Sequence, residues 1–222
     1  MQRILIAIFL LCISGVAFAE ESKPIAETDR TICEYVHPGK NISKWVTSKA
    51  GFSAAIELRA RVTGKGSQRH CLTSWILHLR RQNSQDRTLM VAQRDDVPED
   101  NEWMQENIFE IEAWSKDGKM VLISQIQAQG DGDETTPIVY DFISGKHWRV
   151  DLYPLFEKVI PADCYVVYRA VRFSDDGKVI ISAFSTDDDR EEGTKACFEE
   201  SLWQLDFRQP SVSRVSANSA QK

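Results

Sequence analysis

Two stretches of this chain are spelled almost alike. Trp114-Ser115-Lys116-Asp117-Gly118-Lys119 runs into Met120-Val121-Leu122-Ile123-Ser124, and Phe173-Ser174-Asp175-Asp176-Gly177-Lys178 runs into Val179-Ile180-Ile181-Ser182. Asp-Gly between apolar runs predicts a tight hairpin, because such turns need positive φ and glycine has no Cβ to oppose it. Ahead of the first corner, Phe109, Ile111 and Ala113 alternate with Glu110, Glu112 and Trp114. Ahead of the second, Val167, Arg169, Val171 and Phe173 alternate with Tyr168, Ala170 and Arg172. A period of two is a half-buried strand. The runs after each corner are continuous and largely β-branched, which fits a strand buried on both faces.

A second pair of strands follows each hairpin. Pro137–Phe142 leads through Ile143-Ser144-Gly145-Lys146 to His147–Val150, and Ser201–Phe207 leads through Arg208-Gln209-Pro210-Ser211 to Val212–Val215. Trp45-Val46-Thr47-Ser48-Lys49-Ala50-Gly51-Phe52 is a degenerate third copy, with Ala-Gly in place of Asp-Gly. Ile56, Leu58, Ala60 and Val62 continue its strand, and Ser74–Leu79 and Arg87–Ala92 supply its second half, after a Gly64–Gln68 loop. The chain is therefore all-β: three repeated four-stranded antiparallel meanders, at residues 33–92, 105–153 and 164–216, in one domain spanning 33–216. Gln93–Asn101 is expected as a charged linker, Leu152–Val159 as a short helical turn, and 217–222 as a tail.

Met1–Ala19 has one basic residue, Arg3, an apolar centre Ile4–Leu11, and Ala17-Phe18-Ala19 at its end. That pattern is a signal peptide and predicts export, to a periplasm or the outside. The apolar run is too short for a membrane span. Residues 20–32 are polar and aperiodic, and are expected to be a flexible leader. The net charge of −6 disfavours a nucleic-acid partner, which calls for a basic footprint. Beyond the leader lie Cys33, Cys71, Cys164 and Cys197. An even count in an exported chain predicts disulfides, and three connectivities exist. Cys71 and Cys197 each precede the tryptophan of a third strand, Trp75 and Trp203, while Cys33 and Cys164 each precede a unit. Equivalence of the units favours Cys33–Cys71 and Cys164–Cys197. No Cys-x-x-Cys pair suggests zinc.

The pattern aromatic-Ser-x-Asp-Gly-Lys-x-apolar-apolar, followed by apolar-x-apolar-Asp and a Gly-Lys turn, resembles the WD40-like, TolB-type β-propeller repeat. It covers residues 105–215 well and 36–92 poorly, with Lys116 and Asp175 where that family commonly has proline. The resemblance implies propeller blades and no particular activity. Three units fall short of the usual four to eight or so blades. An open arc, a small sandwich, and a ring completed in a homo-oligomer all remain as arrangements.

The loops within the units differ in charge. The first unit carries Arg59, Arg61, Lys65 and Arg69. The second has Gly130-Asp131-Gly132-Asp133-Glu134, and the third Asp187-Asp188-Asp189-Arg190-Glu191-Glu192. Asp131, Asp133, Glu134, Asp187, Asp188 and Asp189 are the candidate binding residues. Clustered carboxylates suit Ca²⁺, but neither loop has the spacing of a known calcium loop, so no cofactor is assigned. His37, His70, His78 and His147 stand apart from any metal-ligand spacing, and no Gly-x-Ser-x-Gly nucleophile motif occurs. Thr63-Gly64-Lys65-Gly66-Ser67 lacks a phosphate-loop frame and reads as a turn. The expectation is an exported module that binds a protein or envelope component without catalysis. The alternative is a hydrolase of glycans or peptides that uses the acidic-loop carboxylates.

Overall fold

A computed structural model describes Cys33 and residues 42–81, 86–96, 106–129, 132–160, 164, 166–185 and 200–215. Twelve strands form three four-stranded antiparallel sheets. The first holds β1 (Val46–Thr47), β2 (Phe52–Thr63), β3 (His70–Arg81) and β4 (Arg87–Asp96). The second holds β5 (Glu106–Trp114), β6 (Met120–Gln129), β7 (Gly132–Asp141) and β8 (His147–Arg149). The third holds β9 (Val166–Phe173), β10 (Val179–Ser185), β11 (Ser201–Asp206) and β12 (Ser211–Arg214). Each sheet is a meander in sequence order, so the three units are one design used three times.

The corners carry the repeat into space. Gly51, Gly118 and Gly177 have φ of 78°, 73° and 78°. Each donates its N–H to the carbonyl of the unit's serine, Ser48, Ser115 or Ser174, at 3.1, 2.8 and 3.0 Å. That serine's hydroxyl in turn accepts an N–H at the start of the returning strand, from Phe52 (3.2 Å) and Met120 (2.9 Å), or just before it, from Lys178 (3.1 Å). In the two Asp-Gly corners the hydroxyl also donates to the turn aspartate, Asp117 or Asp176. The second corner is one residue longer, since Ser115 pairs with Met120 where Ser174 pairs with Lys178.

Two cores lie between the three sheets, and the second sheet supplies both. On β6, Val121 and Ile123 face the first sheet while Leu122 faces the third, and all three are fully buried. On β7, Ile138 and Tyr140 belong to the first core and Val139 to the second. This is why the sequence there is continuously apolar: alternation places every residue against a neighbouring sheet. Ala54, Ile56, Trp75, Leu77 and Leu79 complete the first core from the first sheet. Val179, Ile181, Trp203 and Leu205 complete the second from the third sheet. The expected helical turn is α1 (Tyr153–Phe156), whose Phe156 stacks on Tyr168 and meets Trp203 edge-on in the second core. The result is propeller-like: sheets packed face to face around a turn of arc that, among the described residues, does not close.

Cys33 and Cys71 form a disulfide with Cα atoms 5.4 Å apart, as the unit equivalence predicts. Cys164 is also disulfide-bonded, and Cys197 lies outside the described residues. Two boundaries differ from expectation. β4 continues through Asp96, so the charged segment starting at Gln93 begins as strand, paired with Ser74 and the residues before it. Gly132, Asp133 and Glu134 are strand backbone, paired with Gln129, Ala128 and Gln127, rather than a loop. Ladder pairing with a long partner outweighs the weak strand propensity of Gly and Asp.

Candidate functional site

The expected acidic site is largely out of view. Asp131, Asp187, Asp188 and Asp189 lie outside the described residues, and so do the side chains of Asp133 and Glu134. Among the described residues, no three His, Cys, Asp or Glu side chains gather as a metal-ligand set. Of the basic group in the first unit, Arg59 and Arg61 are on β2, not in a loop, and Arg59 grips Glu57 with two hydrogen bonds of 2.7 and 3.0 Å. His78 Nε2 shares the Oε2 oxygen of Glu57 with Arg59. Burial pushes the Glu57 carboxyl up, but Arg59 and His78 outweigh it and hold the group below its ordinary range.

The described residues do contain a cleft, of about 550 Å³, lined by the first two sheets at their corner end. It falls within the roughly 300–1,000 Å³ typical of ligand sites. Its floor is apolar and aromatic: Phe52 and Leu79 from the first sheet, Tyr140 and Phe142 from the second. Phe142 touches Phe52 at 4.8 Å, Trp114 at 5.3 Å and Tyr140 at 5.4 Å between ring centroids. Three arginines stand around this floor: Arg80 and Arg81 at the end of β3, and Arg87 at the start of β4.

The arginines have different settings. Arg80 holds Asp86 in a two-pronged pair at 2.7 and 2.8 Å and lies over the Trp45 ring at 4.2 Å. That pair holds the Asp86 carboxyl below, and the Arg80 guanidinium above, its ordinary range. Arg81 lies over Phe52 at 5.6 Å. The Arg87 side chain has no hydrogen-bond or ion-pair partner among the described residues. Among the described residues lining the cleft, Asp86 is the one carboxylate, against three guanidiniums. In a chain of net charge −6 this is a local inversion of sign.

The repeat shows how the inversion arose. Arg81 sits opposite Phe52, the first residue after the first corner. In the second unit the matching place is Asp141, opposite Met120. In the third it is Asp206, one residue beyond the Leu205 that pairs with Val179. Both aspartates cap the next turn. Asp141 accepts the N–H of Ile143 at 2.8 Å and of Ser144 at 3.4 Å, and Asp206 accepts those of Arg208 and Gln209 at 3.1 and 3.2 Å. An arginine cannot accept, so the first unit gives up this cap and presents cations instead. Sequence reading passed over these arginines because each looks like an ordinary polar strand end. Superposing the three units on the Asp position would have exposed Arg81.

One further polar feature lies inside the arc. Glu112 occupies the irregularity in the β5–β6 ladder between Ile111 and Ala113. Burial pushes its carboxyl above the ordinary range; Ser124 nearby opposes this, Glu110 adds to it, and Arg169 on β9 opposes it.

Comparison with family models, with curated proteins and with solved structures gave no match. No helix among the described residues is long and apolar enough to cross a membrane.

Proposed function

We propose that this protein is an exported, propeller-like binding module that recognises a protein or envelope component through the cleft between its first and second sheets. The observation that carries the reading is the cleft itself: a rigid aromatic floor beneath three guanidiniums, one of them without a partner among the described residues. Flat rings and arginines give large contact area and directed hydrogen bonds, which is why both are enriched at recognition sites. The leader sequence, the paired cysteines and the resemblance of the repeats to propeller blades support placement beyond the cytoplasm. The alternative, a hydrolase, rests on acidic-loop carboxylates that lie outside the described residues.

The test is a photo-crosslinking residue at Ile143, which lines the cleft and is 64% exposed, incubated with envelope extract. The control carries the same residue at Val159, 46% exposed beside α1. A discrete adduct from Ile143 and none from Val159 supports the reading. Equal labelling at both places, or none at either, refutes it.

A further inference from the structure

We infer that the cleft takes an acidic polypeptide segment in extended form, with its carboxylates on the arginines and an apolar or aromatic side chain on the floor. This rests on the binding reading above and names the chemistry of the partner. Three observations lead to it.

The first is charge. Arg80, Arg81 and Arg87 outnumber Asp86 around a space of about 550 Å³, and Arg80 already engages Asp86, so a cationic or neutral occupant leaves the Arg87 guanidinium uncompensated as water is displaced. The second is geometry. Guanidinium and carboxylate match as a planar two-pronged pair, and the rim already shows one: Arg80 with Asp86, at 2.7 and 2.8 Å. Arg87, which has no partner among the described residues, can repeat that pairing with an incoming carboxylate.

The third separates a polypeptide from other anions. β4 is the outermost strand of its sheet, and no described strand pairs with its outer edge. It runs from Arg87 to Asp96, with an irregularity at Val91, whose carbonyl accepts from Arg149 Nη1 at 3.3 Å; the stretch beside the cleft that no described strand covers is Arg87–Met90. Even a short open edge is a template for another strand. Its backbone groups begin at Arg87, at the cleft. A peptide seated in the cleft can therefore continue along that edge with main-chain hydrogen bonds, which an acidic glycan cannot form.

The probe is a fluorescein-labelled peptide rich in Asp and Glu with a single central Phe, titrated with the full oxidised chain at low salt and followed by anisotropy. Arg87→Glu is expected to weaken binding by at least about tenfold, and Arg87→Lys by less, because a single ammonium keeps the charge and loses the fork. Phe142→Ala weakens it too, and the same peptide with Lys for its acidic residues does not bind. Unchanged urea midpoints for the Arg87 variants show that the fold is intact. Equal affinity of Arg87→Glu and the parent, or equal binding of the Lys peptide, overturns the inference. So does an oligogalacturonate that binds in an Arg87-dependent way where the acidic peptide fails. If Ile143 still crosslinks a partner while the acidic probe does not bind, the binding reading stands and this assignment alone falls. If neither occurs, both fall.

Discussion

Replacing Gly118 and Gly177 by alanine, one at a time, measures how the repeated corners pack on one another. Both residues have positive φ, 73° and 78°, so both variants incur the left-handed penalty of an L side chain, about 1–2 kcal/mol before any gain from stiffening the unfolded chain. Their surroundings differ. A Cβ on Gly177 meets only Met120 Cε, at an ordinary 3.9 Å. A Cβ on Gly118 lies 3.0 Å from both Ala50 Cβ and Ala50 N and 3.2 Å from Ser48 Oγ, all in the first unit's corner. Two of those three are fixed by backbone, so the overlap is relieved only by moving one corner away from the other, at about 1–3 kcal/mol. Gly177→Ala is expected to cost about 1 kcal/mol and Gly118→Ala about 2–4. Urea unfolding of the oxidised protein, with m checked for constancy, reads the difference. Ala50→Gly in the Gly118→Ala background removes one of the close contacts and recovers part of the loss, a non-additivity that unconnected sites do not show. Equal costs for the two glycines, or no recovery, would refute the stacking of the first two corners.

Other expected outcomes follow from the same geometry. Replacing Cys33 and Cys71 by serine opens a loop of sequence separation 38 and lowers the unfolding free energy by up to about 4 kcal/mol on the loop-entropy account, seen as a lower urea midpoint. Non-reducing peptide mapping is expected to show Cys164 joined to Cys197; a Cys71–Cys164 peptide contradicts the pairing of the units. Leu77→Ala, at a fully buried place in the first core, costs about 2–5 kcal/mol by the same urea assay, while Lys116→Ala, which breaks an exposed 2.9 Å pair with Asp175, leaves the midpoint unmoved. Glu112→Gln raises stability at neutral pH. The native carboxyl titrates above its unfolded value, so its contribution is fully present below the unfolded pKa, near 4.5, and is lost as pH rises through the folded one. The difference between variant and parent therefore grows across that window and then levels off; a difference independent of pH denies the burial of that carboxylate.

The architecture was legible in the sequence because its cause is local. Asp117-Gly118 and Asp176-Gly177 set their own turn geometry, and the runs Val121–Ile123 and Val179–Ile181 announce burial on two faces. Even the degenerate corner at Ala50-Gly51 could be found, since serine and glycine carry the turn and the aspartate only decorates it. The Cys33–Cys71 pairing was reachable from the equivalence of the units alone. The cleft was not. Phe52, Leu79 and Arg87 belong to one sheet, Tyr140 and Phe142 to another, and what joins them is the packing of two sheets far apart in sequence. No periodicity encodes that packing. The strand content around Gly132–Glu134 was missed for a related reason: its partner Gln127–Gln129 makes it strand, against its own propensities.

What gives the first unit its cleft-side cation, beside its degenerate corner and longer outer strand, is an exchange of roles at the end of the third strand. Where Asp141 and Asp206 turn inward to hold N–H groups of the following turn, Arg81 has nothing to accept with and lies over Phe52. A repeat fold makes such an exchange inexpensive, because the sheet's ladder and core are specified elsewhere: Leu77 and Leu79 pack against Ile123 and Ile138 whatever stands two residues on. The second unit then contributes Phe142, whose N–H is tied to Lys119 O at 3.0 Å, so the aromatic floor is fixed by a neighbour whose own turn remains capped. The site is thus built from one unit that keeps the common turn and one that abandons it. Arg81→Asp is the direct check on that account. An aspartate restored to this place is expected to lower the affinity for an acidic probe while leaving the unfolding midpoint at or above that of the parent. A large loss of stability would mean that Arg81 is structural and that the departure from the repeat serves the fold rather than recognition.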